Sequence, residues 1–432
     1  MTHSTSKTEL SAPLLQYWPR RYTVVALCFL AAFLCYIDRV NISVAAIAMQ
    51  ERFGWSTATK GLVLSSFFAG YLVFQIAGGW LANRWGGRRV LGFAVLWWSI
   101  CTVLTPSAAL ISLPVLIGAR IAMGLGEGVM FPSAYSLFGR WVPKLERSRA
   151  VALVLSGVPL GTLFALTTTG WLLTRYGWPS TFYLFGALGF IWALFWFALL
   201  TDDPAGDTRL SSTERSLLRE HCVDSSQRVA VPWRRLLANR AVWALIVNHF
   251  CSNWTLYMLL AWLPSYFRDV QRLGIVNAGL FSAAPWLTMF LMSNAGGWFA
   301  DRLISRGIDL TWVRKFMQVT GLLGSAAFLW CAQSAATPGV ALTLMCGAMG
   351  ALALTWSGFG PNHMDIAPRH ADVLMGITNT AGTIPGVVGV ALTGWMVQTS
   401  GTYASAFMLA AAINVVGALV WLTAGTARRV VY

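Results

Sequence analysis

The sequence predicts an all-α membrane protein of twelve transmembrane helices, and three observations support that fold class. The chain of 432 residues is 56% hydrophobic and only 11% charged, whereas about a quarter of the residues of a soluble domain are charged. Apolar runs recur at the length of about 20 residues that a spanning helix needs. No stretch alternates apolar and polar residues for long enough to form a barrel strand.

Each apolar run is assigned one helix. The approximate bounds of the runs are 23–48, 57–82, 90–107, 112–136, 150–174, 180–200, 241–267, 275–300, 314–333, 338–360, 373–398 and 403–424. Glycine and proline occur inside several runs, which membrane helices tolerate. The stretch before the first run is short and polar and lacks the pattern of a signal or transit peptide, so the first run is expected to remain in the mature protein.

A long polar segment separates the first six runs from the last six. Its residues 212–221 are expected to form a short amphipathic helix. The predicted organisation is an N-terminal tail, a six-helix half, a linker, a second six-helix half and a C-terminal tail, at 1–22, 23–200, 201–239, 240–424 and 425–432.

The formal net charge of +15 is explained by topology rather than by nucleic-acid binding. When the loops are assigned alternately to two sides, most of the 31 Lys and Arg residues lie on the side of both termini. Arg52, Lys60, Arg175, Arg268 and Arg272 fall on the opposite side, and Arg39 and Arg120 lie inside the predicted spans. Basic loops face the cytoplasm, so both termini are predicted to be cytoplasmic. The membrane itself is expected to be the inner membrane of a bacterial cell. Because the charges are spread over short loops, no nucleic-acid partner is expected.

The sequence carries no motif of an enzyme or of a cofactor site. No His is followed by Glu and no Lys follows Gly, which excludes the HExxH zinc motif and the phosphate-binding P-loop. The seven cysteines lie singly and predict no disulfide framework. We therefore expect no catalytic residue, no metal and no cofactor.

The two halves contain matching motifs in matching order. GGWLANR at 78–84 corresponds to GGWFADR at 296–302, and TGW at 169–171 corresponds to TGW at 393–395. Small residues and tryptophan also serve helix packing, but packing alone does not explain the matched order. Repeated halves are a transporter architecture with the substrate site between them.

Several of these stretches resemble a known family. Residues 79–89 resemble the loop signature of the major facilitator superfamily. YIDRVN at 36–41, SSFF at 65–68, WVPKLERSR at 141–149, NHMDIAP at 362–368 and GITNTAG at 376–382 resemble the anion:cation symporter family, especially the branch of sialin, vesicular glutamate transporters, plant plastid phosphate transporters and bacterial relatives. The resemblance runs from about residue 20 to 425 and implies the twelve-helix fold and anion transport.

The chain departs from the family pattern at three positions. Asn83 stands where the superfamily loop usually has Asp, although Asp301 keeps the acid in the second copy. Ser252 and Leu64 stand where glutamate carriers have an Arg and a His. Vesicular glutamate transport is therefore not the expected function.

Five ionisable side chains remain inside the predicted spans: Asp38, Arg39, Arg120, Glu127 and His249. A charge at the bilayer centre costs from about 3 to more than 10 kcal/mol, so such residues normally face a cavity or a partner. We assign Arg39 and Arg120 to substrate binding, because a guanidinium donates two parallel bonds to a carboxylate or phosphate. Asp38 and Glu127 are assigned to proton coupling, which the family resemblance also implies. Structural ion pairs between helices are the alternative.

Other polar residues complete the predicted site. Tyr71 and Asn379 are assigned to substrate binding because they lie in family-like motifs. Secondary contacts are predicted for Gln75, His249, Asn253, Tyr257 and Trp356, each of which is also explained by hydrogen bonds between helices. Gating at the cytoplasmic helix ends is assigned to Asn83, Arg84, Asp301 and Arg302. A structural network in a cytoplasmic loop is expected for His363, Asp365 and Arg369.

The predicted function is proton-coupled symport of a small organic anion, a carboxylate or sugar acid, by alternating access. The expected partners are the anion, the coupling proton and the lipid bilayer, and the chain is expected to act as a monomer. Inorganic phosphate is the alternative substrate, and Na⁺ is the alternative coupling ion. A passive anion facilitator could use the arginines, but it would not need Asp38 and Glu127.

Overall fold

A computed structural model describes residues 18–221, 233–368 and 370–430, and the regular structure of these residues is helical. Ten segments are long and apolar enough to cross a membrane. Two further long helices, Arg240–Asp269 and Leu310–Ala332, pack among them and complete the predicted set of twelve. Cys222 and Arg369 lie outside the described residues, as does the side chain of Asn83.

The first half, here called the N-half, contains the first six spans. They are α1 (Arg20–Phe53), α2 (Thr57–Trp85), α3 (Gly87–Ile111), the pair α4 (Leu113–Glu127) and α5 (Met130–Trp141), α6 (Lys144–Tyr176) and α7 (Pro179–Leu199). The turn between α1 and α2 is fixed by local chemistry. Gly54 ends α1 in the left-handed region that suits glycine, and the Ser56 hydroxyl accepts a hydrogen bond from the Thr59 amide to begin α2.

The linker contains two short helices, α8 (Ser212–His221) and α9 (Trp233–Leu237). The residues of α8 are those at which the sequence predicted a short amphipathic helix. The second half, here called the C-half, then contains α10 (Arg240–Asp269), α11 (Ile275–Ser305), α12 (Leu310–Ala332), α13 (Pro338–Ala353), α14 (Thr355–Ile366), α15 (Ala371–Ser400) and α16 (Ala404–Ala424).

The fourth and tenth spans run as single segments, Leu113–Trp141 and Pro338–Ile366, as the sequence predicted, and each contains a short interruption of the regular helix in which the backbone stays near helical angles. The first interruption follows Glu127, and the second lies at Leu354. In the second case the helix resumes through Ile366, so the NHMDIAP motif begins in α14 rather than in the predicted loop. His363 is accordingly buried, and its Nε2 lies 2.8 Å from the Thr378 hydroxyl of α15.

The matching GGW motifs of the two halves also adopt the same local structure. The Arg84 guanidinium lies 5.3 Å from the ring of Trp80, and the Arg302 guanidinium lies 5.3 Å from the ring of Trp298. Each arginine therefore contacts a tryptophan one turn earlier on its own helix. The internal repeat of the sequence is thus also seen in the structure, as the same arginine–tryptophan contact in both halves.

The linker is attached to the start of α1. The Glu214 carboxylate of α8 accepts hydrogen bonds from the backbone amides of Arg20 and Arg21, both at 3.0 Å, and pairs with the Arg21 side chain at 3.2 Å. Arg21 also pairs with Glu146 of α6 at 2.8 Å. We call this face, which carries the start of α1 and the linker, the linker side, and the opposite face the far side.

The variant Glu214→Ala is expected to lower the stability of the N-half by roughly 2 kcal/mol, because hydrogen bonds to a charged group contribute about 1.5–3 kcal/mol. The melting temperature of the purified protein in detergent would show the loss. Thr213→Ala, an exposed position on the same helix, is the matched control, and equal effects of the two variants would contradict the capping role.

Candidate functional site

A buried ion pair joins α1 to α4 in the interior of the N-half. Arg39 donates from Nη2 and Nε to Glu127 Oε2, at 3.0 and 3.2 Å, and the Cys35 thiol donates to the same oxygen at 3.0 Å. The second carboxylate oxygen, Oε1, has no partner among the described residues. Glu127 therefore neutralises Arg39 in this state and keeps one oxygen free to accept a hydrogen bond.

Aromatic rings surround the same guanidinium. The rings of Tyr36, Phe67 and Tyr71 lie 4.6, 4.8 and 4.6 Å from Arg39 Cζ. Aromatic faces attract a cation most strongly where water is excluded. Tyr71, which the sequence predicted as a substrate residue, thus contacts Arg39. Tyr36 makes the same contact, although the sequence analysis did not select it as a site residue.

Arg120 differs from Arg39 because it forms no close ion pair, and Glu127 and Asp38 act on its charge only from a greater distance. Its side chain is only 1% exposed, and no carboxylate of the described residues lies within ion-pair distance. Its Nη1 lies 3.0 Å from the sulfur of Met123, a weak acceptor, and its Nε has no partner. Arg120 therefore retains both its charge and most of its hydrogen-bonding capacity for a ligand.

Arg39 and Arg120 line one cavity between the halves. Its other lining residues are Ile42, Ser43, Leu64, Phe67 and Phe68 from the N-half and Leu260 and Ala261 from α10. The cavity volume is about 10 Å³, which is room for about one water molecule. The arginine site is thus closed in this state. An anion larger than a water molecule could enter only if the two halves separated.

Asp38 is buried next to this pair with little hydrogen bonding. Neither carboxylate oxygen has a partner of good hydrogen-bond geometry among the described residues, and the Trp98 indole N–H is the nearby donor that acts on it. The charged groups that act on Asp38 are Glu127 and Arg120. A buried carboxylate with so few donors is costly, so this position suits a carboxyl group that carries a proton.

The remaining predicted residues are dispersed. Tyr257 lies 4.6 Å from the ring of Phe68 and so adjoins the cavity, whereas Asn253 donates to the Gly382 carbonyl at 2.9 Å and ties α10 to α15. The side-chain atoms of Gln75 and Nδ1 of His249 are buried without a described partner. Trp356 packs in the core of the C-half, and the half-buried Asn379 of α15 is outside the cavity lining.

The far side contains a buried cation, Lys60, which the sequence analysis counted among the charges on the side opposite the termini and not among the ionisable residues inside the spans. Lys60 lies in the first turn of α2 and is 1% exposed. Its ammonium donates to the Ser265 hydroxyl at 3.1 Å and lies 4.0 Å from the Asp269 carboxylate, both on α10. The signal available in the sequence was its place at the edge of an apolar run, where helix start and loop are hard to distinguish.

Backbones of the two halves are in contact next to Lys60. A Cβ atom on Gly394 would lie 3.0 Å from the Gly61 α-carbon, 2.9 Å from the Trp262 ring and 2.8 Å from the Thr57 carbonyl oxygen. Two glycines therefore allow α2 and α15 to meet without side chains between them. The other polar contacts described between the halves, Ala58 with Gln398 and Arg268 with Glu51, also lie on this side.

The variant Gly394→Ala is expected to open the far side, because overpacking costs about 1–3 kcal/mol in the closed state. The labelling rate of a Ser265→Cys reporter by a membrane-impermeant thiol reagent should rise roughly tenfold. Gly376→Ala on the same helix, where a Cβ meets nothing within 4 Å, is the control. An unchanged rate in Gly394→Ala would contradict the glycine seal.

The comparisons with known proteins agree on one family. The model of the Major Facilitator Superfamily matches residues 28–390. Among solved structures, an inward-facing bacterial homologue of the human lysosomal transporter Spinster has a TM-score of 0.76 at 18% identity, with 94% of this chain and 97% of that chain covered. A D-xylose-proton symporter has a TM-score of 0.75 at 16% identity, covering 94% and 98%. These likenesses show the fold.

Relatives in sequence are considerably closer. The chain is 44% identical to a sodium-dependent phosphate transport protein 1, chloroplastic, of Arabidopsis thaliana, over 99% of this chain and 83% of that protein. It is 44% identical to the chloroplastic ascorbate transporter of the same plant, over 97% and 77%. It is 34% identical to sialin of Ovis aries, over 94% and 91%. The prediction of a transporter rather than an enzyme is confirmed, and the chain belongs to the Major Facilitator Superfamily, in its anion:cation symporter branch.

Proposed function

We propose that this protein transports a small organic anion, a carboxylate or sugar acid, together with protons by alternating access. One observation carries the proposal. Arg120 is a buried cation with no carboxylate of the described residues within ion-pair distance, and it lines the same inter-half cavity as an arginine that is already neutralised. An anion is the ligand that satisfies such a site, because it supplies the missing charge and accepts the free hydrogen bonds.

Charge balance favours proton coupling. In the closed site Glu127 occupies Arg39, so an anion that binds both arginines must displace this carboxylate. Protonation of Glu127 or Asp38 removes one negative charge from the site, and a monovalent anion restores it. Substrate and proton therefore favour each other's binding, as a symporter requires.

Two relatives supply the alternatives that we retain. The name of one relative gives Na⁺ as the coupling ion and phosphate as the substrate, and a guanidinium pair binds phosphate as readily as carboxylate. Another relative is named for ascorbate, an organic anion. Inorganic phosphate and Na⁺ coupling are therefore the second candidate.

Transport by purified protein in proteoliposomes tests these possibilities. Radiolabelled ascorbate, glucuronate and phosphate would be supplied under separately imposed pH, Na⁺ and voltage gradients. Accumulation of an organic anion that follows the pH gradient supports the proposal. Accumulation that follows only a Na⁺ gradient, or only phosphate uptake, favours the second candidate, and equilibration without accumulation indicates a passive facilitator.

The orientation follows from the basic loops. We propose that the linker side faces the cytoplasm, that the chain acts as a monomer, and that 201–239 divides the two halves. Charged residues at the linker-side helix ends, Arg84, Asp301 and Arg302, are proposed to join the halves when the far side opens. A bacterial cell membrane remains a prediction from the sequence, to which the chloroplastic names of the plant relatives add no support.

A further inference from the structure

We propose that Lys60 is a further anion-binding residue, which receives the negative group of the substrate at the far-side mouth of the transport path. The inference rests on the proposed anion transport and extends it to a residue outside the arginine cavity. Lys60 and Leu64 are one turn apart on α2 and share a helix face. Since Leu64 and Phe68 line the arginine cavity, Lys60 lies about 6 Å further toward the far side along the same helix.

The ammonium of Lys60 is incompletely satisfied in the closed state. It can donate three hydrogen bonds, and the structure gives it one, to Ser265 at 3.1 Å. Asp269 lies at 4.0 Å with its side chain 47% exposed, and it also accepts from the Tyr403 hydroxyl at 3.2 Å. The Trp262 ring at 5.1 Å adds a cation–π contact. An anion that approached the ammonium more closely than Asp269 does would therefore stabilise this buried cation further.

The contacts of Lys60 have one further property in common. Ser265, Asp269 and Trp262 all belong to α10 of the C-half, whereas Lys60 belongs to the N-half. When the halves separate on the far side, Lys60 loses these three partners together. The ammonium then faces the opened path, and an incoming anion takes the place of Asp269.

The competing explanation is that Lys60 only holds the two halves together on the far side. The two explanations predict different effects for the variants Lys60→Gln and Asp269→Asn. If Lys60 only locks the halves, both Lys60→Gln and Asp269→Asn release the lock in the same way. If Lys60 binds the anion, Lys60→Gln removes the binding charge while Asp269→Asn frees it. The two variants of one ion pair should then act in opposite directions.

Charged thiol reagents first test, without a known substrate, whether the Lys60 charge acts on molecules in the opened path; the far-side KM then separates binding from locking. The reporter is Ser265→Cys in the full-length protein with the exposed Cys331→Ser. Negatively charged sulfonatoethyl and positively charged trimethylammonioethyl methanethiosulfonate are added from the far side, and the ratio of their rates is recorded. Both reagents meet the same population of open protein, so the ratio reports local charge rather than the extent of opening.

We expect Lys60→Gln to lower the ratio of negative to positive reagent roughly tenfold at low ionic strength, since the unit charge beside the reporter, 3.1 Å from the Ser265 hydroxyl in the closed state, attracts one reagent and repels the other. Asp269→Asn should raise the ratio, and Lys60→Arg should retain it. Arg268→Gln, which removes an exposed far-side charge paired with Glu51, is the control and should change the ratio less than twofold. A ratio unchanged in Lys60→Gln, or shifted in the same direction by both variants, overturns the proposal.

Transport gives the second measurement. Right-side-out and inside-out vesicles present the far and linker sides separately to radiolabelled ascorbate, glucuronate or phosphate. Lys60→Gln should raise KM several-fold from the far side and leave it unchanged from the linker side, whereas release of a lock would lower the far-side KM. If none of these anions is transported by the unmodified protein, the proposed function fails, while the labelling ratios still show whether the Lys60 charge acts on an anion in the opened path.

Discussion

Arg120→Gln is expected to lower kcat/KM for the transported anion by about 100-fold or more. The substitution removes from the cavity the cation that has no close ion pair, and with it two charge-assisted hydrogen bonds to the anion, each of which would contribute about 1.5–3 kcal/mol. Folding should not suffer, because no ion pair of Arg120 is broken. Initial rates of anion uptake in proteoliposomes, with the melting temperature of the same preparation, provide the measurement.

The matched variant is Arg120→Lys, which keeps the charge but loses the planar fork. Its uptake should fall between those of the unmodified protein and Arg120→Gln. Uptake by Arg120→Gln within threefold of the unmodified protein would remove this residue from the binding site. A large loss of melting temperature in Arg120→Gln would instead indicate a structural role.

Glu127→Gln is expected to lower the thermal stability of the protein and, separately, to abolish the accumulation of anion on a pH gradient. Arg39 would keep its burial and its aromatic neighbours but lose its counter-ion, and breaking one side of a buried pair costs about 3–5 kcal/mol. The melting temperature should therefore fall. Accumulation driven by a pH gradient should also be lost, while exchange of anion across the membrane should continue, because the arginines can still bind it.

The double variant Arg39→Gln with Glu127→Gln separates these losses. It removes both charges of the pair and should regain much of the stability, but it should not regain uptake, since Arg39 is proposed to bind the anion. Asp38→Asn provides the comparison for the second carboxyl group. Equal accumulation by the unmodified protein, Asp38→Asn and Glu127→Gln would falsify coupling through these carboxyl groups.

The fold could be predicted from the sequence because each helix, and each half, has its own recognisable pattern of residues. Each spanning helix is marked by about 20 apolar residues, and the matched GGW and TGW motifs divide the chain into two halves. The interruption after Glu127 was not visible, because Gly126 and Gly128 are compatible with either a continuous or a broken membrane helix. The buried part of the NHMDIAP motif was placed in a loop because its polar residues are satisfied by tertiary contacts, such as that of His363 with Thr378.

The positions of the charged residues along the sequence could not predict which arginine pairs with which carboxylate in the site. Arg120 and Glu127 are two turns apart on one span and share a face, but the carboxylate pairs with Arg39 of another helix. That choice depends on how α1 and α4 are rotated against each other, which no pattern in either helix specifies. Lys60 was missed for a related reason, since its burial is created by α10 rather than by its neighbours in sequence.

The contact of Gly61 with Gly394 also bears on how cells conserve energy. A transporter that couples to an ion gradient must not conduct that ion on its own, and protons cross proteins along files of hydrogen-bonded water. Where the α2 and α15 backbones touch and the Trp262 ring packs against both glycines, there is no gap between these two helices for such a file. The two glycines would thus protect the membrane from a leak current while the protein waits for substrate.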